Sequence, residues 1–124
     1  MRAALFALLL CSPVSLSAQQ GETPRLVEVR LSNFDFSPSA ITLPAGRPVV
    51  LRLVNAGGGG HNFSAPQFFA AAANVSGPVR RGAVEVRGRQ SVDIRLTPAR
   101  GTYRLKCTHT LHSAFGMNGE ITVQ

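Results

Sequence analysis

The segment from Lys106 to Glu120 gathers side chains that can bind a metal ion. It reads KCTHTLHSAFGMNGE and holds two of the three histidines, one of the two methionines and the only cysteine after the first twenty residues. Cys107 is followed by His112 after five residues and by Met117 after ten. The third histidine, His61, stands earlier in the chain, directly after four glycines. Thiolate, imidazole and thioether groups together point first to transition-metal chemistry.

A predicted β-framework can bring these four side chains to one place. Leu105 and Cys107 share one parity of an alternating strand, so Cys107 ends that strand with its sulfur directed inward. Another strand begins after Met117, and strands therefore hold both ends of the intervening loop. His61 follows a predicted strand over residues 49–54, and a β-sandwich can place it at the same end as Cys107.

Alternation of apolar and polar residues recurs along the chain and is typical of half-buried strands. Turn signals at 44–48, 87–90 and 98–101 separate these runs. About seven short strands in roughly 100 residues predict an all-β, antiparallel sandwich. The side chains expected to face its core are Val27, Val29, Leu31, Phe34, Phe36, Ile41, Leu43, Val49, Leu51, Leu53, Val84, Val86, Val92, Ile94, Leu96, Tyr103, Leu105, Ile121 and Val123.

Two segments depart from the strand pattern. The alanine-rich run at 65–77 favours one or two helical turns, which we interpret as a crossover that caps the sandwich. Its Phe68 and Phe69 could instead lie beside a functional site. The four glycines at 57–60 predict a flexible connection and not a phosphate loop, because the lysine and the helix start of such a loop are missing.

The first eighteen residues predict a secretory signal peptide. Arg2 precedes an apolar run from Ala3 to Leu10, and small residues end the segment at Ala18. The run is too short to span a bilayer, so we expect no stable membrane insertion. Residues 19–124 then form one exported domain, periplasmic if the source has an outer membrane, in which Cys107 has no disulfide partner.

The basic charge of the chain gives little functional information. Lys and Arg number 13 against 6 Asp and Glu, a net charge of +7. The basic residues form no run, and aromatic residues do not interleave with them, so we predict no nucleic-acid binding. A basic surface of this kind can steer acidic partners.

The types of the four candidate ligands favour copper. Two imidazoles and a thiolate with a weak axial thioether form the blue-copper electron-transfer site, whereas structural zinc sites normally use only cysteine and histidine. Each residue also has a plainer interpretation by itself: Cys107 as a buried inert thiol, His61 as a structural imidazole and Met117 as a core residue. Only their joint spacing indicates a metal site.

In the order of its motifs the chain resembles the cupredoxins, small exported copper proteins such as plastocyanin, pseudoazurin, rusticyanin and auracyanin. The resemblance covers nearly all of the chain after the leader. Its Cys-x4-His-x4-Met spacing is most similar to that of rusticyanin and auracyanin. The resemblance implies a Greek-key β-sandwich of about seven to eight strands with one short helical crossover. The matching segments are FDFSPSAITLPAGRPVVLRLVN, the HNF that follows it, GTYRLKC and GMNGEITV.

The resemblance also implies a ligand set for one mononuclear copper ion. His61, Cys107 and His112 would be the strong ligands, and Met117 would be the axial one. Asn62, next to His61, would tie the two ligand loops together, a kind of contact that orients ligands and tunes a metal.

His109 departs from the family pattern. We choose His112 as the ligand because a separation of five residues between histidine and methionine recurs in the family, whereas His109 stands eight residues before Met117. We expect His109 to be hydrogen-bonded or solvent-facing. The alternatives are a second, weaker copper site and a pH-sensitive gate.

The resemblance implies a one-electron carrier and not an enzyme. Its partners would be redox proteins, such as c-type cytochromes or membrane oxidoreductases, that dock briefly on a monomer. The edge of His112 would be the electron exit, inside an apolar patch of Leu111, Ala114 and Phe115. The sequence contains no second cluster of histidines of the kind that a copper oxidase or reductase needs.

Three other functions remain open from the sequence. A periplasmic protein for copper sequestration or delivery would use the same residues together with His109. An exported structural β-domain would carry a metal-like loop by chance, and its copper binding would not depend on Cys107. The third alternative is an enzyme with a cysteine nucleophile. The sequence supports it least, because no acidic residue stands near the histidines to orient them.

Overall fold

The computed structural model describes residues 21–109, 112 and 115–124. These residues form ten strands and one short helix. The strands are β1 (Arg25–Ser32), β2 (Asp35–Ser37), β3 (Ala40–Leu43), β4 (Val49–Val54), β5 (His61–Ser64), β6 (Ala73–Ser76), β7 (Ala83–Val86), β8 (Ser91–Thr97), β9 (Gly101–Lys106) and β10 (Asn118–Val123). The helix α1 (Pro66–Ala71) lies between β5 and β6.

The strands form two five-stranded sheets, in the orders β2-β1-β4-β8-β6 and β3-β10-β9-β5-β7. Most neighbours are antiparallel, while β1 runs parallel to β4 and β3 runs parallel to β10. The chain therefore crosses between the sheets repeatedly, as Greek-key sandwiches do. The predicted all-β sandwich is confirmed. It has more strands than expected, because short segments beside the turns, such as β2, also form strands.

The apolar parity of each strand forms the core between the sheets. On β4, for example, Val49, Leu51 and Leu53 are buried, while the residues between them are only half-buried. Burial of this apolar surface is the main favourable term in folding. Every predicted core side chain except one is buried or half-buried.

Phe34 is the exception, and its prediction as a core residue is wrong. Its side chain is 44% exposed. With Asn33 it forms the two-residue turn between β1 and β2, and both residues have positive φ angles, 50° for Asn33 and 60° for Phe34. The alternation of a strand does not continue through such a turn, so parity assigns the ring to the wrong place.

The alanine-rich segment forms a shorter helix than its composition suggests. The helix ends at Ala71 because Ala72 already has an extended conformation, and β6 follows at once. Phe68 and Phe69 are buried in the core, where the Phe69 ring lies 6.0 Å from that of Phe63. The interpretation of the helix as a crossover that caps the sandwich is therefore confirmed.

The predicted signal peptide, residues 1–18, lies outside the described residues. Among the residues that are described, no helix combines the length and the apolar character needed to cross a bilayer.

Candidate metal centre

Two neighbouring strands bring His61 and Cys107 to the same end of one sheet. β5 and β9 are antiparallel, with Ser64 opposite Lys106. His61 is the first residue of β5, and Cys107 directly follows the last residue of β9. The side chain of Cys107 is fully buried, which confirms the inward parity that the sequence predicts.

His112 completes a group of three candidate ligands in one small volume. Its Nδ1 lies 3.2 Å from Nδ1 of His61 and 3.3 Å from Sγ of Cys107. One ligand atom from each of the three residues lies within 4.8 Å of the others. His61 and Cys107 are buried and His112 is half-buried. The fold thus brings together the three residues that the sequence predicts as strong ligands.

Met117 closes the loop on the side of the core. Its side chain is fully buried. Its backbone N–H donates to the carbonyl of His112 at 3.0 Å, and its carbonyl accepts a bond from the N–H of Cys107 at 3.1 Å. These bonds tie Met117 to two members of the group, a position compatible with a weak fourth ligand. Leu111 and Ala114, which were expected to surround His112, lie outside the described residues.

Asn62 connects the two segments that carry the candidate ligands. Its Oδ1 accepts a hydrogen bond from the backbone N–H of Thr108 at 2.8 Å, and its Nδ2 donates to Oγ1 of Thr108 at 2.6 Å. Its backbone N–H lies 3.4 Å from Sγ of Cys107, which acts as the acceptor. The structure therefore contains the predicted contact, and Asn62 fixes the position of the thiol relative to β5.

We expect Asn62→Ala to loosen the site without unfolding the domain. The change removes the hydrogen bonds of the Asn62 side chain to Thr108 and Glu85, and each such bond contributes about 0.5–1.5 kcal/mol of net stability. Loss of a contact that orients metal ligands typically lowers metal affinity about 10–100-fold. Urea unfolding and competitive copper titration measure the two effects. Gln67→Ala, which truncates an exposed amide on α1, serves as the control, and equal affinities for both variants would contradict the assigned role.

Glu85 on β7 extends this network to His109. One carboxylate oxygen accepts a bond from Nδ2 of Asn62 at 2.9 Å, and the other lies 2.8 Å from Nε2 of His109. Burial acts to raise the pKa of Glu85, but the hydrogen bonds from Asn62 and His109 outweigh it, so this pKa lies below its ordinary value. His109 is therefore a hydrogen-bonded imidazole, as expected, with one ring nitrogen engaged by a carboxylate.

The protonation of His61 gives a prediction for the metal-free protein. Its pKa lies below the ordinary value of 6.5, first because burial penalises the charged imidazole and then because His112 and His109 repel it. The unfolded chain therefore binds this proton at a higher pH than the folded chain. The contribution of His61 to stability is complete above the unfolded pKa of about 6.5 and is lost as the pH falls through the folded value.

Urea unfolding of the metal-free protein between about pH 7.5 and about pH 5 measures this effect. The wild type should lose stability on acidification more steeply than His61→Gln, which cannot titrate at this position. Identical slopes for the two proteins would show that His61 does not have the lowered pKa.

Hydrogen bonds from Asn55 hold the glycines before His61 at two points. Asn55, a buried polar residue just after β4, donates from Nδ2 to the carbonyls of Gly59 at 2.7 Å and Val86 at 3.1 Å. Its Oδ1 accepts a bond from the N–H of Gly57 at 3.1 Å. The start of β5, and with it His61, is thus anchored to β7.

Sequence reasoning missed three residues around the site: Asn55 and Glu85, which bond to segments that carry it, and Phe34, which contacts His112. The sequence gives little indication of the roles of Asn55 and Glu85. Asn55 is a polar residue beside a run of glycines. Glu85 is a carboxylate on a strand, and only the fold brings it near a histidine. Phe34 was predicted, wrongly, to be buried. Its ring centroid lies 4.8 Å from that of His112, at an interplanar angle of 87°.

The donor set fits a single copper ion. A thiol that is buried and directly beside two imidazoles can bind as a thiolate, and thiolate with imidazole suits copper. Among the described residues, this is the one group of three or more His, Cys, Asp or Glu side chains close enough to hold a metal. The hydrogen bonds of Asn62 and the backbone bonds of Met117 hold its members in place.

Comparisons with known proteins agree with this architecture. The family model described as a cupredoxin-like domain matches residues 1–123. Auracyanin B is 31% identical, with a TM-score of 0.63, over 83% of this chain and 91% of its own. Auracyanin from Roseiflexus castenholzii, in a dithionite-reduced form, is 23% identical, with a TM-score of 0.62, over 83% of this chain and 99% of its own. Auracyanin A, a blue copper protein from Chloroflexus aurantiacus, is 20% identical, with a TM-score of 0.59, over 82% of this chain and 100% of its own.

No curated protein matches the chain in sequence. The solved structures below 25% identity establish the fold alone, whereas auracyanin B, at 31%, is also a relative in sequence. Because the family model extends over almost the whole sequence and auracyanin B shares this fold over most of both chains, the chain belongs to the cupredoxin-like family.

Proposed function

We propose that this protein is a blue copper protein that carries single electrons between redox partners. The observation that carries the proposal is the convergence of His61, Cys107 and His112, whose ligand atoms lie within 4.8 Å of one another at one end of the sandwich. In this assignment these three residues are the strong ligands of one copper ion. Met117, buried at the base of the loop, would be the weaker fourth ligand.

The bound metal would supply one-electron exchange between Cu(II) and Cu(I). The chain supplies a ligand frame that changes little between the two states, which keeps the reorganisation that accompanies electron transfer small. β5 and its glycine connection fix His61, and Asn62 fixes the segment that begins at Cys107. Burial of the thiol and of Met117 excludes water from the inner side of the site.

His112 is the member of the group that lies nearest to solvent, so its ring is the proposed exit for the electron. Exposed aromatic side chains stand beside it: Phe115 is 66% exposed and touches the ring of Phe34. A small apolar surface of this kind suits brief, weak docking. We propose c-type cytochromes or membrane oxidoreductases as the partners of a monomeric carrier. The protein itself would bind and pass electrons without acting as an enzyme.

The site of action is also a proposal. The pattern of residues 1–18 supports export and cleavage after Ala18, with the periplasm as the destination in a cell that has an outer membrane. N-terminal sequencing of the protein recovered from its native compartment tests this. A mature chain that still begins at Met1 would contradict it.

The visible spectrum of the purified protein tests the function. After addition of one equivalent of Cu(II), an intense blue absorption is expected, because thiolate bonded to Cu(II) in a His₂Cys site produces it. Reduction with dithionite should bleach the colour and reoxidation should restore it over repeated cycles. A colourless or pale sample would overturn the proposal, because the thiolate would then not be bonded to Cu(II).

Copper sequestration or delivery is the alternative function, and it would recruit His109. The ring of His109 lies 5.4 Å from that of His112, close enough to assist metal exchange. However, Nε2 of His109 is engaged by Glu85 at 2.8 Å, which favours a fixed structural contact. Transfer of Cu(I) to a chelator within seconds would support delivery. Retention through many redox cycles supports the carrier.

A further inference from the structure

The turn between β1 and β2 contains a residue that folding alone does not favour. Asn33 and Phe34 both have positive φ angles between the paired residues Ser32 and Asp35. This is the requirement of a type I′ turn, in which the second central position strongly favours glycine. A side chain with a Cβ is unfavourable in this left-handed region, and a bulky one is a genuine outlier.

The same chain contains a second turn of this kind with the expected residue. Arg81 and Gly82 lie between the paired residues Arg80 and Ala83, and their φ angles are 51° and 72°. Glycine therefore occupies the second position there, whereas Phe34 occupies it in the turn beside the metal centre. Because phenylalanine is unfavourable in this turn, we expect its ring to have a role other than forming the turn.

Burial in the core does not provide that contribution. The side chain of Phe34 remains 44% exposed. Its ring instead meets the two candidate imidazole ligands edge-on, with centroid distances of 4.8 Å to His112 and 6.5 Å to His61 and interplanar angles of 87° and 84°. T-shaped contacts of this geometry are favourable between aromatic rings.

Phe34 also lines a cleft that reaches both imidazoles. This cleft of about 220 Å³ lies between the β1–β2 turn and the glycine connection, and its lining includes Phe34, His61, His112 and Gly57 to Gly59. The ring therefore stands where water or a small anion would approach the site. The positive φ of Phe34 accounts for this position of the ring. That backbone conformation directs the side chain away from the face that β1 turns toward the core.

We propose that Phe34 is a positioning residue of the metal centre, whose ring fixes the orientation of the His112 imidazole and shields both imidazoles from solvent and small anions. The assignment rests on the proposed copper site, but the protection of the imidazoles is a property of the chain itself. It can therefore be measured on the metal-free protein as well as on the copper-loaded one.

The test compares Phe34→Gly with Phe34→Tyr, which keeps a ring, and with Arg81→Gly, which removes a side chain at positive φ far from the site. Modification of histidines by diethyl pyrocarbonate is followed on the metal-free proteins, and fragment-ion mass spectrometry separates His112 from His109. In Phe34→Gly we expect His112 and His61 to react severalfold faster, with a urea midpoint equal to or above that of the wild type. Phe34→Tyr and Arg81→Gly should keep the wild-type rates.

The copper-loaded proteins give a second readout. Phe34→Gly should bind copper about 10-fold more weakly, the lower end for loss of contacts that orient ligands, and added azide should change its visible spectrum but not that of the wild type. Unchanged histidine reactivity in Phe34→Gly would overturn the proposal. If the urea midpoint were also lowered, Phe34 would have a role in the stability of the fold instead. A wild type that does not bind copper would overturn the proposed function, while faster histidine modification in Phe34→Gly would still establish shielding.

Discussion

The variant Cys107→Ser is expected to lose the intense blue absorption completely and to bind copper more than about 100-fold more weakly than the wild type. The thiolate is the strongest donor in the group, and its loss should exceed the 10–100-fold effect of removing an outer contact. A serine hydroxyl is a hard, neutral donor that does not replace a thiolate on copper. Visible spectroscopy and titration against a copper chelator of known affinity measure both effects.

The fold of Cys107→Ser should survive, which makes the experiment interpretable. Serine is close to cysteine in size, and its hydroxyl can accept the hydrogen bond that the N–H of Asn62 makes to Sγ. Unfolding of the metal-free variant in urea checks this point. Met117→Leu is the companion variant: it removes only the weak thioether and should keep a strong visible band. Copper binding by Cys107→Ser within a few-fold of the wild type would support a structural domain that carries a metal-like loop by chance.

The variant Phe63→Ala is expected to cause a large loss of stability, about 3–5 kcal/mol in the free energy of unfolding. Phe63 is fully buried on β5, and its ring lies 5.9 Å from that of Phe36 and 6.0 Å from that of Phe69. Truncation would leave a cavity between the two sheets and helix α1. Such a loss is a large part of the roughly 5–15 kcal/mol that stabilises a typical domain.

Urea unfolding of the metal-free protein measures the effect of Phe63→Ala, and Phe115→Ala is the matched control. Phe115 is 66% exposed, so the same truncation there should change the stability by no more than about 0.5 kcal/mol. Because Phe63 lies two residues after His61, the destabilised variant should also bind copper more weakly. Equal stabilities for the two variants would mean that β5 is not packed as described.

The two largest effects fall on adjoining parts of the same strand pair. Phe63 packs the inner face of β5, and its neighbour Asn62 donates to the sulfur of Cys107 from the backbone. His61 and Cys107 are thus held directly on the core, at the ends of β5 and β9. A rigid core beneath the ligands is what a carrier needs if its ligand geometry is to stay nearly constant through each cycle.

Most of the strands, and the types of side chain that could bind a metal, follow from the sequence without the structure. Alternation is a local property, so Val49, Leu51 and Leu53 indicated a buried face without knowledge of the partner strand. The parity of Cys107 predicted its burial in the same way. Resemblance to a family added the choice of His112 over His109, and the structure places His112, with His61, beside the sulfur.

Helix α1 is shorter than the helix propensity of its residues predicts. Alanines favour helix up to Ala71, but the next residues pair with β8 as the strand β6. Helix propensity differs by only a few tenths of a kcal/mol among most residues, so pairing with a neighbouring strand can override it. No pattern within 73–76 announces that partner.

The surroundings of the candidate ligands depend on contacts between residues far apart in the sequence. Glu85 meets His109 across 24 positions of sequence, and Asn62 meets Thr108 across 46. Phe34 contacts His112 only because a turn with positive φ releases its ring from the parity of β1. These contacts depend on the register of the strands and on the path of each turn. Periodicity along one strand contains neither, so the sequence indicated the candidate ligands, while the packing of two sheets decided which side chains surround them.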